Sequence, residues 1–187
     1  VEAVAHFRLV FDLYQHVAAT DVDFIVIDHA EGTRGFCAGG DVRMLAQSGA
    51  KDGREAAAFF AAEYRLNTLI KEYPKPYVAL LDGVTMGGGV GISMHGTHRI
   101  ATPKTLFAMP ESGIGLFPDV GGGWFLPRLP GKLGMWLGLT GARLKGKDVL
   151  AVGIATHFIE EAAGLADKLC EQGLRALDDL QTSARPG

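Results

Sequence analysis

The chain has 187 residues, 48% hydrophobic and 21% charged, with 18 basic against 21 acidic side chains and a formal net charge of −3. That balance, without a basic run, argues against a nucleic-acid partner; no apolar stretch approaches the roughly 20 residues that cross a bilayer, and Cys37 and Cys170 are too few for a disulfide scaffold. Glycine, at 26 residues, is about twice as frequent as usual but has no three-residue period, which excludes collagen and leaves a glycine-rich globular chain of one-domain size.

In chain order, Ala3, Phe7, Val10, Phe11 and Tyr14 recur at spacings of three and four and predict an amphipathic helix over residues 2–19. Asp23–Asp28 holds a β-branched run that reads as a buried strand, and 31–41 is a glycine-punctuated loop. A long helix is expected from Glu55 to Glu72, stopped by Pro74 and Pro76. Tyr77–Leu81 reads as a second buried strand, and 83–91 as a turn into a small-residue helix reaching His95. Short strands are expected at Arg99–Ala101, Leu106–Ala108 and Ala155–Ile159, with helices over Gly121–Leu129 and Lys132–Leu139. The tail from Gly173 reads as helical up to Gln181 and as frayed coil from Thr182 to Gly187. Strands alternating with helices give an α/β fold with a largely parallel sheet, and no repeat or linker divides residues 1–187. Val1 opens directly on the helical pattern with no leader sequence before it, so the sequence reads as a piece of a longer protein.

In such sheets ligands bind at the carboxyl ends of strands. Two glycine clusters fall there, Ala38-Gly39-Gly40 and Gly87-Gly88-Gly89. Glycine lets backbone come close to a ligand and leaves its N–H uncovered. The second cluster also opens a helix, whose first N–H groups lack internal partners. One N–H from each cluster could form an oxyanion hole; equally, the glycines could serve only tight turns and close packing. Glu111 and Asp119 are the only carboxylates from Pro103 through Lys147, in an apolar, glycine-rich stretch. Apolar surroundings raise a carboxyl pKa toward the range of general acid–base work. The plainer alternatives are an N-cap role for Asp119 on a helix starting at Val120 and a surface position for Glu111.

Other motifs are weaker. Ile92 stands where G-x-G-x-x-G needs glycine, and Asp148 where a P-loop, begun at Gly141 and Lys147, needs a hydroxyl. His95 and His98 have no metal-spaced carboxylate or cysteine, so no metal is expected. Cys37 lacks a histidine partner and reads as a small buried filler, while Ser93 and Ser112 lack a nucleophile elbow. Arg43 and Lys104 read as surface charges.

Three ordered motifs, Phe36–Asp41, Gly83–Gly91 and Met109–Asp119, resemble those of the crotonase (enoyl-CoA hydratase/isomerase) superfamily, and the likeness continues through Leu126–Leu129, Gly131–Leu133, Leu139–Gly141, Arg143–Gly146 and Gly153–His157. Within it the likeness is greatest to the 3-hydroxyisobutyryl-CoA hydrolase branch. The resemblance implies a spiral of ββα units, truncated here at both ends: the opening strand and the C-terminal helical region would be missing. It implies an oxyanion hole at Gly40 and Gly88, catalytic roles for Glu111 and Asp119, and a substrate-binding place for Glu63, which without the resemblance reads as part of a solvated helix face. The hydratases' second glutamate falls on Gly91, which speaks against two-carboxylate water addition. The implied reaction is hydrolysis of 3-hydroxyisobutyryl-CoA in valine breakdown, with no cofactor beyond the coenzyme A of the substrate. Other implied features are a trimer-type homo-oligomer and a place in the bacterial cytoplasm or the mitochondrial matrix. Alternatives are a hydratase or isomerase of the same superfamily and a non-catalytic CoA-ester-binding fragment.

Overall fold

In the computed structural model of the chain, the described residues are 2–183 apart from 31 and 34, with side chains from residue 9 onward. The expected coil after residue 183, the Ala3 and Phe7 side chains, and two positions of the first glycine loop lie outside them. Helix α1 (Glu2–Ala18) leads to β1 (Ile25–Ile27), α2 (Val42–Gly49), α3 (Arg54–Lys71), β2 (Tyr77–Leu81), β3 (Val84–Met86), the short α4 (Gly88–Gly91), β4 (His98–Ala101) and β5 (Leu106–Ala108). A 3₁₀ turn at Pro110–Ile114 precedes α5 (Gly122–Phe125), a second at Leu126–Arg128 precedes α6 (Leu133–Thr140), and β6 (Arg143–Lys145), α7 (Lys147–Ala151) and β7 (His157–Phe158) follow. The chain then runs through α8 (Leu165–Gln172), a 3₁₀ turn at Gly173–Leu177 and β8 (Gln181–Thr182).

The strands form two sheets. One has the order β1-β2-β4-β7-β8, parallel except for the β7–β8 pairing. The other has the order β3-β5-β6, with β3 parallel and β6 antiparallel to β5. Strand β2 reads as an unbroken apolar run because both its faces are covered, and all five residues are buried. Burying each large side chain is worth roughly 1.5–3 kcal/mol. Val78, Leu80 and Ile100 pack against Leu165, Leu169 and Leu177 from the α8 region. A separate cluster around Phe107, Met109, Leu137 and Ile154 lies beneath the 3₁₀ turns and α6.

On the remaining side α1 packs on α3. Tyr14, Tyr73 and Tyr77 meet edge-to-face with centroids 5.8 to 6.5 Å apart, and Val10 joins Leu66, Ile70 and Tyr77. The Lys75 ammonium donates to the Val17 carbonyl at 3.1 Å and to Thr20 O, which caps the end of α1 with a cation where the helix dipole is negative.

The structure departs from the sequence reading in places. The segment 83–91 begins as a strand, because Val84–Met86 is too short a run to show a period yet finds a partner in β5. Its helix ends at Gly91 and only turns continue to His95. The helix expected over Gly121–Leu129 is α only to Phe125, since Pro127 has no N–H for the α ladder. Thr182, expected as coil, pairs with His157 in β8.

Candidate active site

The convergence of the two glycine loops follows from β3. Cys37 bridges to Thr85, with its N–H donating to Val84 O at 2.8 Å and its carbonyl accepting from Met86 N at 2.9 Å. This short ladder lays Ala38–Gly40 alongside Gly87–Gly89. The approach is so close that a Cβ at Gly89 would stand 2.2 Å from Cys37 O. The first loop is pinned beyond Gly40 by Asp41, which N-caps α2 through bonds from Arg43 N at 2.9 Å and Met44 N at 3.2 Å. Gly88 opens α4, so its N–H has no intrahelical acceptor. Among the described residues neither the Gly40 nor the Gly88 N–H has a hydrogen-bond acceptor.

Three carboxylates close on the same place. Glu111 sits on the 3₁₀ turn after β5, 4% exposed, and its Oε2 has no partner among the described residues. Asp119, 8% exposed, accepts a hydrogen bond at Oδ2 from the Tyr64 hydroxyl at 2.7 Å. Glu63 is 3% exposed, and its Oε1 lies 2.6 Å from where a Gly88 Cβ would be. Gly40, Gly88, Glu63, Glu111 and Asp119 all line one cavity of about 170 Å³, with Phe59, Phe60, Ile114 and Leu116 among its apolar walls. Burial first, then the Asp119 and Glu111 charges, push the Glu63 carboxyl up to about 7. Burial and the Asp119 charge push Glu111 up to about 7 against the lowering effect of its own backbone N–H. Two carboxyls poised near neutrality within one small cavity suit proton transfer at physiological pH.

The plainer alternatives do not describe these side chains. Glu111 is buried, not on the surface. Asp119 gives its side chain to Tyr64, while α5 begins after Gly121 without a side-chain cap. Glu63 belongs to the buried stripe Phe59, Glu63, Leu66, Asn67, Ile70 of α3, so a carboxylate at apolar helical spacing was the readable signal. Tyr64 was not anticipated: its partner is 55 positions away in the chain.

A Cβ at Gly91 would stand 2.9 Å from both Asn67 Oδ1 and Val120 Cβ, so a glutamate there has no room. Cys37 is half-buried, and burial pushes its thiol pKa up against the lowering effect of the Gly39 N–H that its Sγ accepts at 3.4 Å, a net direction unlike that of an activated nucleophile. The stretch from Gly141 to Lys147 contains β6, so it is no phosphate loop, and Lys147 pairs with Glu160 at 2.7 Å. Lys104 lies 3.4 Å from Asp82. Among the described residues no group of three His, Cys, Asp or Glu side chains has the arrangement of a metal site, and no helix is long and apolar enough to cross a membrane.

The family model for enoyl-CoA hydratase/isomerase matches residues 7–185, and the chain belongs to that family, the crotonases. Within it the similar curated proteins are named 3-hydroxyisobutyryl-CoA hydrolase, mitochondrial. The one from Danio rerio is 60% identical over 141 residues, which cover 75% of this chain and 37% of that protein. The one from Gallus gallus is 55% identical over 157 residues, 82% of this chain and 41% of that protein. The chain thus spans about two fifths of the length of these relatives. Among solved structures, a carnitinyl-CoA dehydratase from Mycobacterium thermoresistibile superposes with a TM-score of 0.90 at 40% identity, over 98% of this chain and 55% of that one. An enoyl-CoA hydratase from Rhodobacter sphaeroides 2.4.1 gives 0.84 at 40% identity, over 98% and 54%. The architecture is the crotonase fold.

Proposed function

We propose that this chain carries the catalytic segment of an acyl-CoA thioester hydrolase that converts 3-hydroxyisobutyryl-CoA to 3-hydroxyisobutyrate and free CoA. The observation that supports this reading is the convergence of Gly40, Gly88, Glu63, Glu111 and Asp119 on one cavity, with a buried Glu111 oxygen unpartnered. The Gly40 and Gly88 N–H groups receive the thioester carbonyl oxygen. In the first step the ionised Glu111 attacks the carbonyl carbon and the carbonyl electron pair moves onto that oxygen. Collapse of this adduct breaks the carbon–sulfur bond, and the departing thiolate takes, through Asp119, the proton given up by the water of the next step. Water then cleaves the mixed anhydride and restores Glu111. In the second route that the same residues allow, Glu111 removes a proton from the attacking water. Incorporation of ¹⁸O from labelled water into the Glu111 carboxylate in single turnover marks the covalent route. Glu63 and Asp119 orient the acyl hydroxyl. The reaction needs no cofactor besides the coenzyme A of its substrate.

Two of the similar solved structures favour a second reading, since they are named as a dehydratase and a hydratase. The crowded Gly91 weighs against it: the position that would carry a second glutamate is filled by its neighbours. One experiment separates the two. Thiol release from a panel of CoA esters, run beside hydration of crotonyl-CoA, should show release from 3-hydroxyisobutyryl-CoA and negligible hydration. Hydration without thiol release would overturn the hydrolase reading. We further infer a trimer-type homo-oligomer, in keeping with exposed Phe117, Trp136 and Leu139, and a place in the mitochondrial matrix in a eukaryote or the cytoplasm in a bacterium.

A further inference from the structure

His95 lies on the turns that continue α4, whose first residue is Gly88. Its Nε2 is 2.9 Å from the carbonyl oxygen of Val120. A carbonyl only accepts, so Nε2 carries the proton. Val120 follows Asp119 directly and has φ 42, the one positive φ outside glycine among the described residues; Gly121 follows at φ 90. Asp119 O accepts from Gly122 N at 2.6 Å. An i to i+3 bond over two residues of positive φ is the pattern of a type I′ turn, which asparagine and glycine ordinarily supply. Valine is β-branched and resists that conformation, so something outside the turn must hold it. The imidazole is placed to do so. It lies against Gly121, where a Cβ would come 2.4 Å from His95 Cε1, and it bonds the peptide between Val120 and Gly121.

We propose that His95 is a positioning residue for Asp119: its bond to the Val120 carbonyl locks the left-handed turn and so holds the Asp119 carboxylate against Tyr64 and the cavity. The same side chain ties the segment that presents the Gly88 amide to the turn that presents Asp119. Burial, with Lys71 and Arg99 close by, keeps the imidazole pKa below its ordinary value, so the ring stays in the neutral Nε2–H form at physiological pH. The inference rests on the reading of Asp119 as a catalytic group of the hydrolase site.

The test is a set of variants read by thiol release and by crystallography. His95→Ala should lower kcat about tenfold or more with KM changed by less than about twofold, and His95→Gln, which keeps an N–H donor, should recover most of the loss. In a Val120→Gly background, where the left-handed turn costs little, adding His95→Ala should lower kcat by less than about threefold. The crystal structure of His95→Ala should show Val120 at negative φ and the Tyr64–Asp119 bond broken. Equal losses in both backgrounds, or a His95→Ala structure with Val120 and that bond unchanged, would overturn the proposal. If His95→Ala does not fold, His95→Leu, which also lacks a donor, takes its place with the same expectations. A wild-type chain that releases no thiol from any ester overturns the hydrolase reading instead, and the crystallographic arm still decides this one.

Discussion

Two hollows of this molecule make an instructive contrast. The larger, about 700 Å³, lies between α5 and α6 among Phe117, Leu126, Met135 and Leu139, with Lys132 as its only ionisable lining residue among the described residues. The smaller, about 170 Å³, holds three carboxylates and two glycine loops. Size and apolarity would select the first, and chemistry selects the second. An apolar hollow stabilises whatever covers it but cannot move a proton or an electron pair. In the small cavity burial raises the pKa values of Glu63 and Glu111, and Gly40 and Gly88, whose N–H groups have no acceptor among the described residues, line the same walls.

The largest effect that would sharpen this contrast is at Glu111. Glu111→Gln should lower kcat by at least about 10³-fold while leaving CoA-ester binding, measured by calorimetry, near wild type; near-normal turnover would return the question to the other hollow. Gly88→Ala comes next. Its Cβ would meet Glu63 Oε1 at 2.6 Å, and a loss of about 10²-fold in kcat is expected from the disturbed amide and carboxylate.

A smaller effect is a matter of pH. Glu111 must be ionised to attack, so kcat/KM should rise tenfold per unit below about 7 and level off above it. Stability runs the other way. Glu63 and Glu111 have folded pKa values of about 7, above the 4.5 of the free group, so their contribution is fully present below 4.5 and lost as pH rises through 7. Thermal unfolding between pH 4.5 and 8 should show that decline, and Glu63→Gln should flatten it. The smallest effect belongs to the large hollow: Met135→Gln, at a residue 64% exposed, should change kcat less than about twofold and stability by less than about 0.5 kcal/mol.

Much of the site was legible in the sequence because its parts are local. Gly39–Gly40 and Gly87–Gly88 stand out as glycine clusters after strands, and Glu111 and Asp119 as lone carboxylates in an apolar stretch. Strand β2 was equally clear, since a fully buried parallel strand has an unbroken apolar run. What escaped depends on partners distant in sequence. Strand β3 is three residues long and exists through β5 and Cys37. Tyr64 and His95 look ordinary until the fold brings Asp119 and Val120 to them. Glu63 was an intermediate case: taken alone it reads as part of a solvated helix face, the family resemblance singles it out, and the fold puts it in the buried stripe with Phe59, Leu66 and Ile70.

The most direct measurement is a crystal structure of the Glu111→Gln variant with 3-hydroxyisobutyryl-CoA bound. The account predicts the thioester oxygen about 3 Å from both the Gly40 and Gly88 nitrogens, with its carbonyl carbon beside residue 111. An ester seated between α5 and α6, or a carbonyl oxygen touching neither amide, would contradict it.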